Sequence, residues 1–499
     1  MHAEAQAVAA KPDRLLTPEI VALAAVVVLG TIMTILDATI VNVALATLGR
    51  DFRTSISTIQ WVSTIYLLAF ASVIPLTGWA SERFGAKRVW LASLGLFVAG
   101  SLLAGLSWSI GSLIAFRALQ GLGGGMILPL GQTILAQAAG PHRIGRVMSI
   151  VGVPMLLAPI FGPVIGGAIV GSASWRWIFF VNLPVGAVAF VLAVRLLPSV
   201  AAQRHQRLDA LGLALLSGGI GVFVYGLAET GARGRVTDAV PATALAAGIT
   251  LVALFAWHAI RTRDPLIDVR LFATRGFATA AATNLLLGIA LFGMLILLPL
   301  YFQIVRGRSP LTTGLLLIPQ GLGAACAMPV AGALTDRLGA RRVVPAGIGL
   351  AVVGTAAYTQ IGASTAYWFL AGALFVIGLG LGSTIMPSMA VAYQTLAREA
   401  VPRATSALNV IQRIAGSLGT ALLAVVLQRA IRSELPGFHG GIAQAGALAA
   451  RDAARKTPAL ASAFGTTFWV ALALAVVALV PALLLPAIST NGERDQPAR

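Results

Sequence analysis

Two stretches of the chain repeat one pattern: residues 78–89 read GWASERFGAKRV, and residues 332–343 read GALTDRLGARRV. Each copy has a glycine, an acid, an arginine, a second glycine and a basic pair at the same offsets. Glycine permits a tight turn and the close approach of another helix, and a carboxylate can cap a helix start or pair with an arginine at a neighbouring helix end. The residues to which we assign this structural role are Gly78, Glu82, Arg83, Gly85 and Arg88 in the first copy and Asp336 and Arg337 in the second. The repeat therefore predicts two similar halves.

The composition excludes a soluble protein. Of 499 residues, 58% are hydrophobic and only 10% are charged, and the mean hydropathy is +0.89, whereas a typical soluble domain carries about 25% charged residues. A soluble chain of this length could not cover so much apolar surface. The composition also excludes a disordered chain, and the single cysteine, Cys326, excludes a fold built on intrachain disulfides.

Long apolar runs predict an all-α integral membrane protein with fourteen transmembrane helices. A helix needs about 20 apolar residues to cross a bilayer, and the runs of this kind are bounded by charged residues, proline or glycine. The predicted spans are 20–46, 58–78, 88–106, 110–139, 146–170, 176–198, 210–229, 240–260, 276–303, 312–335, 342–361, 366–396, 404–428 and 464–488. The repeated loops follow the second and the tenth span, so that the spans divide into six, two and six.

This division predicts the domain organisation. Two six-helix bundles, 20–204 and 266–490, flank a pair of inserted linker helices within 205–265, and the tails are 1–19 and 491–499. Repeated halves around a midplane site are a transporter architecture. With the N-terminus inside, 21 of the 35 lysines and arginines fall on inner segments and 12 on outer ones, as the positive-inside rule requires. We therefore expect a multi-pass plasma-membrane protein with both termini cytoplasmic. The net charge of +18 reflects this topology and does not indicate a nucleic-acid partner.

Three charged side chains lie more than five residues from the ends of predicted spans. Asp37 in the first span and Arg117 in the fourth lie in the outer half of the membrane, at depths that allow them to meet. Burial disfavours an ionised carboxyl group and a nearby cation favours it, so a movement of Asp37 relative to Arg117 or to water would change its affinity for a proton. We interpret the two residues as a proton-coupling pair, with static polar contacts as the alternative. For Arg413, in the thirteenth span, we favour a side chain that extends to the cytoplasmic interface.

The fifth span contains the stretch GVPMLLAPIFGPVIGG (152–167), which is dense in proline and glycine. Each proline removes a backbone hydrogen bond and kinks a helix, and small residues every three or four positions let another helix pack closely. We interpret this span as a closely packed hinge helix. The residues that carry this interpretation are Gly152, Pro159, Gly162, Pro163, Gly166 and Gly167.

Other polar residues inside the spans are candidates for a substrate cavity. They are Asn42, Gln132, Asn284, Gln320, Tyr393, Gln394 and Asn409. Each alone is a weak indication, because hydrogen bonding between helices explains many polar residues in membranes. The sequence contains no Walker-type phosphate loop and no Cys/His cluster for a metal. We therefore expect a protein that is not an enzyme, that holds no metal or cofactor, and that draws its energy from an ion gradient.

Taken together, these motifs resemble those of the major facilitator superfamily, and specifically its fourteen-helix drug:proton antiporter branch. Residues 78–89 are similar to the superfamily's cytoplasmic loop between helices two and three, although Glu82 stands where aspartate is usual and Ala86 where a basic residue is common. Asp37 with Thr39 and Asn42 matches the first-helix motif. LIAFRALQGLGGG (113–125) matches the fourth-helix motif, whose arginine is implicated in proton transfer. APIFGPVIGG (158–167) resembles the antiporter signature, and WRWIFFVNLPVG (175–186) is typical of the branch.

The resemblance implies the major facilitator fold and proton-driven export of small amphipathic molecules by alternating access. The implied cargo comprises dyes, antiseptics, antibiotics or the producer's own metabolites, and the implied partners are such a substrate, protons and the lipid bilayer. We expect the protein to be a monomer. Some relatives bind cationic drugs through a further acid in the helix that matches the tenth span. This chain has Gln320 there, which argues against a preference for divalent cations. The alternatives on the same fold are a proton-coupled symporter and a lipid or metabolite transporter.

Overall fold

The computed structural model describes residues 17–140, 143–199, 207–233, 238–394, 396–436, 442 and 453–486. These residues are helical apart from short connections. The predicted C-terminal tail 491–499 and most of the predicted N-terminal tail, residues 1–16, lie outside the described ranges.

The described part of the first half contains eight α-helices. They are α1 (Pro18–Asp51), α2 (Ile56–Val73), α3 (Leu76–Phe84), α4 (Ala86–Gly105), α5 (Ile110–Ala139), α6 (Ile144–Ser172), α7 (Trp177–Phe180) and α8 (Asn182–Leu196). The start of α1 is typical of a helix N-terminus, because the side chain of Thr17 accepts a hydrogen bond from the amide of Ile20 and Pro18 and Glu19 open the first turn. Helix α1 packs on α6 and α8, and α5 packs on α2 and α4.

The inserted segment forms a hairpin of α9 (Ala210–Arg233) and α10 (Ala239–Arg261), which pack on each other. Helix α9 also packs on α2 and on the long helix Val401–Glu434, which we number α17 below. A short 3₁₀ helix, Val269–Ala273, leads from the hairpin into the second half.

The described part of the second half contains nine α-helices. They are α11 (Arg275–Leu300), α12 (Pro310–Leu316), α13 (Ile318–Leu338), α14 (Ala340–Tyr358), α15 (Tyr367–Gly382), α16 (Ile385–Gln394), α17 (Val401–Glu434), α18 (Ala453–Val477) and α19 (Leu479–Leu483). A π-helical turn, Tyr301–Val305, extends α11. Helix α11 packs on α17, and α15 packs on α13 and α14. The halves meet where α6 packs on α13 and α16, and where α17 packs on α3 and α5.

The number of spans agrees with the prediction in part. In the described residues, twelve helical segments are long and apolar enough to cross a bilayer, and the bent pair α2–α3 adds a thirteenth if it crosses as one unit. The remaining predicted span corresponds to α6, a continuous helix of 29 residues, several of whose side chains lie outside the described part of the structure. Fourteen spans and the domain boundaries drawn from them therefore stay predictions.

In three predicted spans the helix is interrupted near a proline. Helices α2 and α3 meet at an angle of 56° beside Pro75, α12 and α13 are separated just before Pro319, and α15 and α16 just before Pro387. Proline has no N–H group, so the carbonyl four residues earlier loses its helical partner. Hydropathy does not register these interruptions, because the apolar run continues across each of them.

The last two predicted spans, 404–428 and 464–488, differ from the observed helices at two bounds. The first span was predicted to end too early, and the second was predicted to begin too late. Helix α17 continues to Glu434, and α18 begins at Ala453. Hydropathy marks only the part of a helix that lies in the membrane, whereas alanine and the long charged residues also favour helix in water. The connection predicted between 429 and 463 is therefore mostly helical in its described parts.

Candidate functional site

The charged residues of the first and fourth predicted spans form a buried ion pair. Asp37 lies on α1 and Arg117 on α5, with Arg117 Nη1 2.5 Å from Asp37 Oδ2. Both side chains are 0% exposed. Arg117 Nε also donates to the carbonyl oxygen of Val62 on α2 at 3.2 Å. The pair thus joins three helices of the first half and is closed to solvent in this conformation.

Two amides that the sequence analysis missed complete the surroundings of Asp37. Gln120 Nε2 donates to Asp37 Oδ1 at 2.8 Å, and Asn182 Nδ2 donates to the same oxygen at 3.0 Å. Gln120 Oε1 in turn accepts from Arg117 Nη1 at 2.7 Å, and Asn182 also donates to Ser101 Oγ at 3.0 Å. Gln120 follows Arg117 by three residues on one helix face, and that spacing was the signal that could have identified it. Asn182 lies in the stretch 175–186, where the sequence indicates the motif but not the direction of its side chains.

Aromatic rings form the other wall of the pair. The guanidinium of Arg117 lies 4.1 Å from the ring centroid of Tyr66, and the hydroxyl of Tyr66 donates to the carbonyl oxygen of Thr34 at 3.0 Å. The rings of Tyr66 and Phe70 are 5.9 Å apart. On the far side, the guanidinium of Arg413 lies 4.4 Å from the Phe70 centroid. The expectation that Arg413 extends to the interface is wrong, because its guanidinium lies on an aromatic ring of the opposite half.

The acids of the two repeated loops each reach the first turn of a helix in the other half. Glu82 Oε2 is 3.1 Å from Nε of Arg403, near the start of α17. Asp336 Oδ1 accepts from the amide of Gly145 at 3.1 Å, and Asp336 Oδ2 is 3.6 Å from Nε of Arg146, near the start of α6. Of the other basic residues assigned to the repeat, Arg83 is half-buried, and Arg88 and Arg337 are exposed.

The glycines of the repeat fit these crossings. A Cβ on Gly78 would lie 3.2 Å from Cα of Arg403, and one on Gly332 would lie 2.4 Å from Oγ of Ser149. The second glycines, Gly85 and Gly339, have φ of 87° and 84°, a conformation that other residues adopt only with strain. The repeat therefore builds two equivalent crossings at one end of the molecule, which we call the repeat-loop end.

The linker hairpin is connected to this end. Arg403 Nη1 donates to the carbonyl oxygen of Pro265 at 3.3 Å, in the connection that follows α10. The next amide, that of Leu266, donates to Asp209 Oδ2 at 3.3 Å, and Asp209 Oδ1 is 2.8 Å from Nε2 of His258. One series of contacts thus runs from the hairpin to the ion pair of Glu82.

The predicted hinge helix α6 packs against both halves. A Cβ on Gly162 would lie 1.9 Å from Oγ1 of Thr39, and one on Gly166 would lie 3.1 Å from the carbonyl oxygen of Ile40, so these glycines allow close contact with α1 just beyond Asp37. Gly152 lies against Met328 and Met386 of the second half. Gly167 has open space around it, so close packing is not the role of this residue. The side chains of Pro159 and Pro163 lie outside the described residues.

Two of the seven polar candidates for a substrate cavity contact each other. Asn409 Nδ2 donates to Gln132 Oε1 at 2.7 Å, across the two halves. Asn42 is exposed and accepts from Ser63, and Asn284 donates to a carbonyl of its own helix. Gln320 and Tyr393 are buried and Gln394 is half-buried.

A cavity lies away from the polar candidates. It has a volume of about 490 Å³, lies between the start of α1 and the ends of α5 and α8, and is lined by Glu19 and Arg143 and by none of the seven candidates. In the described residues, no group of three or more histidine, cysteine, aspartate or glutamate side chains could hold a metal ion.

Comparisons with known proteins agree with this architecture. The model of the Major Facilitator Superfamily matches residues 27–420. A multidrug resistance protein B homolog of Mycobacterium tuberculosis is 40% identical over 95% of this chain and 91% of its own length. The multidrug export protein EmrB of Haemophilus influenzae is 32% identical over 79% of this chain and 78% of its own. The crystal structure of the human organic anion transporter MFSD10 (TETRAN) has a TM-score of 0.62 at 16% identity, covering 92% of this chain and 100% of that one. The family match and the 40% identity confirm that the chain belongs to the major facilitator superfamily, as its motifs predicted.

Proposed function

We propose that this protein exports small amphipathic compounds, including drugs, in exchange for protons. Two proteins that it resembles over most of its length carry multidrug resistance and multidrug export in their names. The observation that carries the proposal is the buried pair of Asp37 and Arg117, with Gln120 and Asn182 both donating to the carboxylate. An ionisable residue inside the membrane is expensive and is by default a functional residue.

The arrangement of donors supports the assignment of Asp37 as the proton-carrying group. In the conformation described, the ionised carboxylate is held by a guanidinium and two amides and is closed to water. These donors lie on α5 and at the start of α8, whereas Asp37 lies on α1, so a rotation of these helices relative to one another removes donors from the carboxylate. A carboxylate that loses such partners binds a proton more readily than one that keeps them. Exchange of the proton is thereby tied to conformation.

The contacts between the halves support alternating access. At the repeat-loop end, Glu82 and Asp336 each reach the other half through a charged contact. We assign this end to the cytoplasm, because the inner segments carry most of the lysines and arginines. The conformation is then closed toward the cytoplasm, and export requires these two contacts to separate when substrate enters.

The full topology is part of the proposal. We assign α6 as a further span, so that α1 to α19 form fourteen spans in a six, two and six arrangement. Both termini are cytoplasmic, the location is the plasma membrane and the functional unit is a monomer. The linker hairpin lies beside α2 and α17, where the two bundles meet.

Transport in inverted membrane vesicles tests the proposal. Vesicles that contain the protein receive an amphipathic fluorescent dye, and a pH gradient is imposed that is acidic inside. Uptake of dye against its own gradient, with protons leaving the lumen, supports an antiporter. Dye movement in the same direction as the protons supports the alternative, a symporter, and contradicts the proposal.

A further inference from the structure

Arg413 lies near the middle of the membrane. It follows Arg403 by ten residues on α17, which is continuous from Val401 to Glu434. At 1.5 Å per residue this places it about 15 Å deeper than Arg403, which is half the thickness of a hydrocarbon core of about 30 Å. A cation at this depth requires an explanation, because it is costly to hold there.

The described residues supply Arg413 with no counter-charge. Its guanidinium lies 4.4 Å from the ring centroid of Phe70, and it forms no hydrogen bond or ion pair within the described part of the chain. Arg117, the other deep arginine, has Asp37. The aromatic rings of Tyr66 and Phe70 lie between the two arginines, and each arginine is at one end of this pair of rings.

No acid is left over to neutralise Arg413. In the described spans, Asp37 is the only acidic residue more than about five residues from the end of its apolar segment, and it is held by Arg117. The tenth predicted span offers the neutral Gln320. The middle of the molecule therefore carries an excess of one positive charge.

The position is also open to a ligand. Arg413 is half-buried, as are its neighbours Gln412 and Ile414, so the protein does not enclose it completely. It belongs to the second half, and Phe70 belongs to the first. A group bound to this guanidinium would lie between the two bundles, where alternating access requires the substrate to be.

We propose that Arg413 binds an anionic group of the substrate, so that the compounds exported include amphipathic carboxylates or sulfonates. This inference rests on the proposed function and specifies its substrate. A guanidinium presents a planar set of donors that matches a carboxylate with two parallel hydrogen bonds. The rings of Phe70 and Tyr66 supply an apolar surface beside that charge, which fits a ligand with one anionic group and one aromatic or apolar part. A bound anion accepts the hydrogen bonds that the guanidinium of Arg413 does not donate within the described part of the chain.

Two dyes of similar size and opposite charge test this assignment: carboxyfluorescein, which is anionic, and rhodamine 6G, which is cationic. Transport in inverted vesicles and binding to purified protein, followed by fluorescence anisotropy, are measured for the wild type, Arg413→Gln and Arg413→Lys. Arg429→Gln is the matched control, because Arg429 is exposed on the same helix. We expect Arg413→Gln to weaken carboxyfluorescein binding by about tenfold to a hundredfold, the effect of losing a charged hydrogen-bond partner. Rhodamine 6G binding should stay within about twofold of wild type, and Arg413→Lys should retain part of the anion affinity because it keeps the charge.

Three results would overturn the proposal. One is equal binding of carboxyfluorescein by the wild type and Arg413→Gln. Another is an equal loss of both dyes in Arg413→Gln, since this would mean that Arg413 only supports the packing of α17. The third is a wild type that exports rhodamine 6G but neither binds nor exports carboxyfluorescein, which would leave the proposed antiport intact. A wild type that moves both dyes down their gradients, whatever the pH gradient, would contradict the proposed function and leave the anion site standing.

Discussion

Replacement of Glu82 by glutamine should open the repeat-loop end more often. Glu82 pairs with Arg403 of the other half at 3.1 Å, and the two side chains are 6% and 16% exposed. Glutamine has the same shape but no charge, so Arg403 would keep its hydrogen bond to Pro265 and lose its ionic partner. The contact is formed only while the two halves are together at this end, so its loss disfavours the closed state and not the open one.

The expected change in the population of the open state follows from the burial of the pair. Removing one partner of a largely buried charged hydrogen bond costs about 1–3 kcal/mol. A factor of ten in an equilibrium constant corresponds to about 1.4 kcal/mol, so the open state should become about 5- to 150-fold more populated. The contacts of Asp336 with Gly145 and Arg146 are unchanged in this variant and keep the closed state dominant.

The rate at which a buried cysteine is labelled measures this population. With Cys326→Ala as the background, Asn409→Cys places a thiol at a position that is 5% exposed, between the halves and deeper than Arg403. A membrane-impermeant maleimide added to inverted vesicles reaches that thiol from the cytoplasmic side only when the repeat-loop end is open. We expect Glu82→Gln to accelerate labelling about 5- to 150-fold.

The matched control is Glu399→Gln, because Glu399 is an exposed residue just before α17. This variant has the same change in charge near the same helix and should leave the labelling rate unchanged. Equal rates in the two variants would refute the reasoning, since the pair of Glu82 and Arg403 would then contribute nothing to closure.

Three further predictions concern packing and connections. Gly85→Ala should lower protein stability by about 1–3 kcal/mol because of the positive φ, measured as a lower unfolding temperature in detergent, whereas Gly95→Ala, which has open space, should not. Gly162→Ala places a methyl group on Thr39 and should impair both stability and transport by forcing α6 away from α1; Gly167→Ala should be tolerated, and equal effects of the two would contradict the packing described. Asp209→Ala removes the acceptor of the Leu266 amide and should speed hydrogen exchange of that amide about fivefold, for a hydrogen bond of about 1 kcal/mol. The exposed control Asp264→Ala should leave the exchange rate as it was.

The sequence was sufficient to predict those features that depend on position along the chain. The repeated loops are recognisable because glycine, acid and arginine recur at fixed offsets, and the positions of Glu82 and Asp336 against helix starts follow from what a carboxylate does there. The meeting of Asp37 and Arg117 was predicted from depth alone, since an arginine inside the membrane requires a partner and one acid stood at a matching depth.

Features that depend on rotation about a helix axis were not predictable. Hydropathy in the membrane is nearly uniform around each helix, so no apolar face indicates which side meets a neighbour. For this reason Asn182 and Tyr66 were missed beside Asp37, and the side chain of Arg413 was expected to extend along the helix, whereas it reaches across to Phe70. The breaks in three predicted spans were not predicted either, although a proline lies near each of them, and only the structure gives the bend of 56° between α2 and α3.

The most direct test of the central claim is uphill export by Asp37→Asn in proteoliposomes with an imposed pH gradient. Asparagine keeps an oxygen that can accept from Arg117 and cannot carry a proton, and Asp51→Asn, in the last position of the same helix, is the control. Folding is verified by size-exclusion chromatography and by downhill exchange of substrate. We predict that Asp37→Asn retains downhill exchange and loses uphill export, while Asp51→Asn keeps both. Uphill export by Asp37→Asn at the wild-type rate would contradict the assignment of Asp37 as the proton-coupling residue.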